Sequence, residues 1–312
     1  MIEPRLRKRE LFSLLRYAPH AGQLLVHRSK ARCRTLACGT RWGKSTCAAM
    51  EIVAGLMEPR EATLGWLVAP SYELTRRVMD RVTVALQEHL AHRVQAIVPR
   101  EQRVRIVNFA GGISELRGKS ADQPAGLLGE ALDFLVVDEA MQLREEIWTG
   151  YLSPRLVDRR GWSLLLGTPA GPGWFHQQFR RGQRNRDPES ESWAMPTWSN
   201  PHIDRATIEA ERERLPERAF RETYAAEFLD VEGEPCERCG GPRTDVPDDV
   251  TLPEGARHED APTCPECGML VDENGTCIVR WHNVWRASVY LHGERESALY
   301  AWDSPKADGH WV

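Results

Sequence analysis

A chain of 312 residues is enough for roughly two domains of ordinary size. Its residues are 41% apolar and 28% charged, with 41 Lys+Arg against 45 Asp+Glu for a net charge of −4, which argues against a disordered chain, a fibre or a membrane protein. No run of about 18 apolar residues occurs, and the N-terminus MIEPRLRKRELFSLL is too interrupted for a secretory signal, so an intracellular protein is expected.

Charge and cysteine are unevenly spread. Residues 1–50 hold 11 Lys+Arg and 2 Asp+Glu, while residues 236–312 hold 7 and 14. The basic leading stretch, above all residues 1–18, is either a phosphate-facing segment or a solvated helix face. In chain order the predicted elements alternate: strand Arg34–Cys38, helix Lys44–Leu56, strand Leu64–Ala69, helix Tyr72–Leu90, then strands Arg103–Phe109 and Ile113–Leu116. Strand Phe134–Val137, helix Glu145–Leu152, strand Ser163–Gly167 and helices Trp174–Arg181, Asp204–Arg214 and Glu217–Phe228 follow. Strands that alternate with helices predict an α/β fold, a largely parallel sheet flanked by crossover helices. Near Val231 the composition turns to Gly, Pro and acid, which places a domain boundary between 1–232 and 233–312.

The segment Cys38-Gly39-Thr40-Arg41-Trp42-Gly43-Lys44-Ser45-Thr46 joins an apolar strand to a helix-forming run. Gly43-Lys44-Ser45 matches the end of a phosphate-binding loop, although Cys38 stands where the first glycine of that pattern falls. Backbone N–H groups at the helix start would face phosphate oxygens, Lys44 would reach the β- and γ-phosphates, and Ser45 would ligate Mg²⁺. The P-loop NTPase fold follows from this reading.

Phe134-Leu135-Val136-Val137 runs into Asp138-Glu139-Ala140, two carboxylates at the end of a strand apolar on both faces. Ligands of open α/β sheets bind at the carboxyl ends of strands. Asp138 is therefore a second candidate Mg²⁺ ligand, and Glu139 a candidate base for a water attacking the γ-phosphate. Thr168 ends a third strand, in Leu166-Gly167-Thr168-Pro169, as either a γ-phosphate sensor or a plain turn residue.

Together these motifs resemble the ATPase domain of the large terminase subunit of tailed bacteriophages, over roughly residues 19 to 232. Pro19-His20-Ala21-Gly22-Gln23 resembles the family's adenine-contacting segment, with Gln23 as the contact, and Cys38 to Ser45 resemble its phosphate loop, where Arg41 joins Lys44 as a phosphate contact. Val137-Asp138-Glu139-Ala140 resembles its acidic motif, and Gly167-Thr168-Pro169-Ala170-Gly171 its coupling motif, with Thr168 linking hydrolysis to movement. Ser199-Asn200-Pro201-His202-Ile203 and Tyr224-Ala225-Ala226-Glu227-Phe228 resemble the segment closing the domain.

The resemblance implies a Mg²⁺-dependent ATPase that drives double-stranded DNA into a procapsid, working in the host cytoplasm and transiently at the portal. It implies as partners the portal protein, a small terminase subunit and further copies in a ring, and no membrane. It also implies an arginine that completes a neighbour's site, expected within Glu115–Asp122, where Arg117 is the first candidate and Lys119 the second; the turn Leu127-Leu128-Gly129, where the family often has an arginine, departs from the pattern in having none. About 80 residues follow position 232, and no triad of strand-borne acids is evident there, so the family's nuclease activity is not expected from this chain.

Cys236-Glu237-Arg238-Cys239 and Cys264-Pro265-Glu266-Cys267 are two C-x-x-C pairs, each followed by Gly. Four thiolates at this spacing fit a closed structural Zn²⁺ site in a zinc-ribbon-like module, with reduced thiols or an iron–sulfur centre as alternatives. Cys33, Cys38, Cys47 and Cys277 read as small apolar residues. Two other functions fit parts of the pattern: a helicase-like P-loop motor, or a non-catalytic adaptor docking through the zinc module.

Overall fold

The computed structural model describes residues 8–183 and 187–229, together with two short paired strands, Arg243–Thr244 and Cys277–Ile278. The chain divides into a first unit ending at Phe228 and a second starting at Leu229. The four cysteines of the expected zinc site, Cys236, Cys239, Cys264 and Cys267, lie outside the described residues.

The first unit is built on one sheet. Its strands are β1 (Cys33–Cys38), β2 (Ala62–Ala69), β3 (Val94–Val98), β4 (Arg103–Val107), β5 (Ile113–Ser120), β6 (Phe134–Val137), β7 (Trp162–Gly167) and β8 (Ser190–Met195). They lie in the order β3-β4-β5-β2-β6-β7-β1-β8. From β5 to β8 every pairing is parallel. At the other edge β3, β4 and β5 run antiparallel. A short link cannot make a parallel crossover, so Val107 to Ile113 form a hairpin turn in which the Asn108 side chain accepts the amides of Ala110 and Gly112.

Helix α1 (Lys8–Leu14) and helix α2 (Ala21–Arg28) precede the sheet. Helix α3 (Lys44–Met57) is buried along nearly its whole length, which its run of Cys, Ala, Met, Ile, Val and Leu permits. Helix α4 (Tyr72–His89) is amphipathic: Thr75, Val78, Met79, Val82, Ala85 and Leu86 are buried at helical spacing, and the Ser71 hydroxyl caps it by accepting the Leu74 amide. Helices α5 (Trp174–Gln183), α6 (Arg205–Arg214) and α7 (Glu217–Thr223) complete the unit. Among the described residues no helix is long and apolar enough to cross a membrane.

The structure corrects three expectations. The helix expected over Glu145–Leu152 is a single wide turn, Ile147–Leu152, closed by the Ser153 amide reaching back five residues to Trp148 O, and Pro154, with no N–H to donate, keeps it from continuing as an α-helix. The helix expected to reach Phe228 stops at Thr223, where the Thr223 and Tyr224 carbonyls are taken by the amides of Thr40 and Thr197. The basic leading stretch is neither wholly solvated nor wholly free for phosphates: Arg34 is buried against Glu51, and Arg32 pairs with Glu189.

Candidate functional site

The three predicted motifs come from neighbouring strands. Strands β6, β7 and β1 are adjacent and parallel, so Asp138-Glu139, Thr168 and the Gly39–Gly43 turn all leave the sheet at its carboxyl end. Lys44 joins them. Its Nζ lies 3.1 Å from Glu139 Oε1 and 3.4 Å from Thr168 Oγ1.

The turn itself divides its residues between two tasks. Gly39, Thr40 and Trp42 are bound by the protein on both sides of their peptide groups. The Gly39 amide donates to Met195 O, the Thr40 amide to Thr223 O, and the Trp42 amide to Gly39 O. The Thr40 carbonyl accepts Thr197 Oγ1 at 2.8 Å, and the Trp42 carbonyl lies 3.1 Å from His20 Nε2. Gly43 O accepts Gln23 Nε2 and Arg41 O accepts Asn200 Nδ2. By contrast, the amides of Arg41, Gly43, Lys44, Ser45 and Thr46 have no acceptor among the described residues. Carbonyls are thus held by surrounding side chains, while a row of N–H groups at the start of α3 stays open to an anion.

Backbone conformation supports this division. Gly43 has φ +103°, which glycine adopts without strain. Gly39 leaves no room for a side chain: an added Cβ would sit 2.4 Å from both Thr197 Oγ1 and Tyr224 O. Arg41 and Glu139 also hold left-handed conformations, with φ +58° and +51°. A left-handed non-glycine residue is a strained arrangement that the surrounding structure must impose, and such residues gather at functional sites.

Trp42 and Gln23 both tie the turn to its surroundings. Trp42 is fully buried, edge-on to His20 with ring centres 4.8 Å apart, and its Nε1 donates to Ser199 Oγ at 2.8 Å. The indole anchors the turn. The Gln23 side chain spans from the His20 amide, which it accepts at 3.2 Å, to the Gly43 carbonyl.

Asp138 is 4% exposed and, among the described residues, accepts one hydrogen bond, from the Glu139 amide at 3.2 Å. Burial and the adjacent Glu139 charge push its carboxyl up to about 6, against the opposing pull of Lys44. A buried carboxylate with unused oxygen lone pairs fits a divalent cation, which would remove the cost of its charge. Ser45, in the first turn of α3, offers a hydroxyl beside the open amides. Among the described residues no group of three His, Cys, Asp or Glu side chains is placed to hold a metal, so a cation here would rest on one carboxylate, a hydroxyl and the ligand's own oxygens.

Arg117 and Lys119 are not drawn to Lys44. Arg117 lies on β5, held by Glu115 and by both oxygens of Glu130, and these partners raise its pKa although burial works against them. Lys119 Nζ donates to Gly126 O and stands 4.9 Å from the centre of the Trp66 ring. The expected apolar role of the early cysteines holds for Cys38 and Cys47, which are buried, and Cys33 is partly exposed.

Sequence reading missed the bracing residues Thr197 and Asn200 as partners of the turn. Each lies 157 or more positions from the residue it holds, and no local pattern marks such a contact.

No family model matches the chain. It is 35% identical to the large terminase subunit of Thermus virus P23-45 and 34% identical to that of Thermus phage G20c, each match covering 70% of this chain and 50% of the relative. The chain thus spans about half the length of these relatives. Among solved structures, the ATPase domain of the Thermus phage P74-26 large terminase superposes with a TM-score of 0.66 at 32% identity, covering 73% of this chain and 100% of that domain. The HK97 bacteriophage large terminase, at 15% identity and a TM-score of 0.59, shares the fold.

Proposed function

The chain belongs to the large terminase subunits, matching their ATPase domain, and from that membership we propose that it is an ATP-hydrolysing subunit of a motor that moves double-stranded viral DNA into a procapsid. One observation carries the hydrolytic part: Lys44, Glu139 and Thr168, from three separate motifs, meet beside a row of unbonded amides.

In the proposed reaction those amides, of Arg41 and of Gly43 to Thr46, bind the phosphate oxygens of ATP. Lys44 stands 3.1 Å from Glu139, so each neutralises the other. A triphosphate would compete for the Lys44 ammonium and leave the Glu139 carboxylate free to orient a water and accept its proton. Thr168, next to Lys44, would sense that exchange. Asp138 and Ser45 would hold Mg²⁺, which would supply positive charge against the phosphate oxygens.

DNA would be held through its phosphates, since packaging must accept any sequence. The portal, a small terminase subunit and other copies in a ring are the proposed partners, at the procapsid portal in the infected cell. Arg117 and Lys119 are the proposed candidates for completing a neighbour's site. Arg117 would first have to leave Glu115 and Glu130, whereas among the described residues no carboxylate holds Lys119. Residues 1–232 form the proposed ATPase domain. Residues 233–312 form a separate module, in which Cys236, Cys239, Cys264 and Cys267 are proposed to hold Zn²⁺ on the strength of their spacing.

The test is steady-state hydrolysis of ATP with Mg²⁺, with and without linear double-stranded DNA. Lys44→Ala and Glu139→Ala are each expected to lower turnover by at least about a hundredfold, and DNA is expected to raise it. Turnover that survives both substitutions would refute the assignment. Wild-type turnover indifferent to DNA, with the portal present, would refute the motor reading.

A further inference from the structure

A buried charged cluster behind the phosphate-binding turn has no part in the chemistry proposed above. Its centre is Glu51 of α3, two helical turns beyond Lys44 and 1% exposed. Three other elements converge on its carboxylate. Lys8 Nζ of α1 donates to Oε1 at 2.8 Å, His27 Nδ1 of α2 donates to the same oxygen at 2.6 Å, and Arg34 Nη1 of β1 donates to Oε2 at 2.5 Å. Because the carboxylate can only accept, His27 carries its proton on Nδ1, and its Nε2 faces the Tyr17 hydroxyl at 3.1 Å.

Burial alone would raise the Glu51 carboxyl, but Arg34, His27 and Lys8 hold it far below the usual carboxylate range. Burial lowers the His27 pKa more than its hydrogen bond to Glu51 raises it. Ion pairs of this kind are seldom better for stability than apolar residues of the same size. What they supply is direction: three donors from three elements, each with a fixed angle at one carboxylate.

Those elements are the ones that frame the turn. Strand β1 leads into it and α3 leads out, and the Arg34–Glu51 pair ties the two together. Helix α2 braces it from outside, with Gln23 and His20 at one end holding the Gly43 and Trp42 carbonyls and His27 at the other held by Glu51. From this juxtaposition we infer that Glu51 is a positioning residue for the phosphate-binding turn: through Arg34 and His27 it sets the turn so that the open amides keep one orientation. The inference rests on the nucleotide-binding reading of that turn.

The full-length chain can be titrated with a fluorescent ATP analogue and assayed for ATP turnover as wild type, Glu51→Gln, His27→Leu and His27→Asn. All are compared at a temperature where circular dichroism shows each folded. Glu51→Gln and His27→Leu are expected to weaken analogue binding about tenfold and raise KM for ATP in step, with a smaller fall in kcat. His27→Asn, whose amide can donate to Glu51 from near the Nδ1 position, should recover most of the binding that leucine loses. If Glu51→Gln does not fold, the two His27 variants carry the comparison. A lower melting temperature with wild-type binding and KM in the folded variants overturns the inference and leaves Glu51 a purely structural residue. Failure of the wild type itself to bind the analogue overturns the nucleotide reading, and this inference with it.

Discussion

Asp138→Asn should make the protein more stable while removing its proposed activity. Asp138 is buried, with one hydrogen bond from the Glu139 amide, and its carboxyl is pushed from the ordinary 3.8 up to about 6, first by burial and then by Glu139. A shift of roughly two units means that keeping this carboxylate ionised above pH 6 costs about 3 kcal/mol. Because the folded pKa is raised, the native state binds the extra proton between about pH 4 and pH 6. Stability from this group therefore falls as pH rises through about 6 and returns as pH drops. Asparagine keeps an acceptor for the Glu139 amide and carries no charge. In chelator, the variant should melt about 5 to 10 °C above wild type at pH 7.5, and the two curves should converge near pH 4. Mg²⁺ should narrow the difference at pH 7.5 by stabilising wild type alone. A variant equally or less stable than wild type at pH 7.5, or a difference that does not change with pH, would refute the reasoning that burial of this charge dominates its environment.

Two further outcomes follow from the site and the cysteines. Mixed assemblies of Arg117→Ala and Lys44→Ala chains should recover ATP turnover that neither has alone; no recovery leaves Arg117 as the partner of Glu115 and Glu130 and moves the candidate to Lys119. Metal analysis of the purified full-length chain should find one zinc per chain, lost on Cys236→Ser with Cys264→Ser; an absence of zinc in wild type would discard the four-cysteine reading.

Much of the fold was readable because its signals are local. The continuous apolar run of β6, the helical spacing of α4 and the Gly43-Lys44-Ser45 turn each declare themselves within a few residues. Strand β8, Ser190–Met195, escaped notice since its sequence is half polar, and only pairing with β1 makes it a strand. The carboxyl-end placement of Lys44, Asp138, Glu139 and Thr168 was also legible, since parallel strands deliver their ends to one side.

What the sequence by itself determined is therefore the chemistry available: the loop, the acids at a strand end, the hydroxyl beyond a third. What only the tertiary structure decided is how each residue is used. Trp42 and Gln23 sit in the motif and also hydrogen-bond inward to brace it, while Asn200 comes from the distant closing segment and Thr197 and Glu51 lie outside any motif, and these too hold it in place. The reason is that side-chain identity and spacing act along the chain, whereas a carbonyl is satisfied by whichever donor folding brings within 3 Å or so, and that donor can come from any part of the sequence.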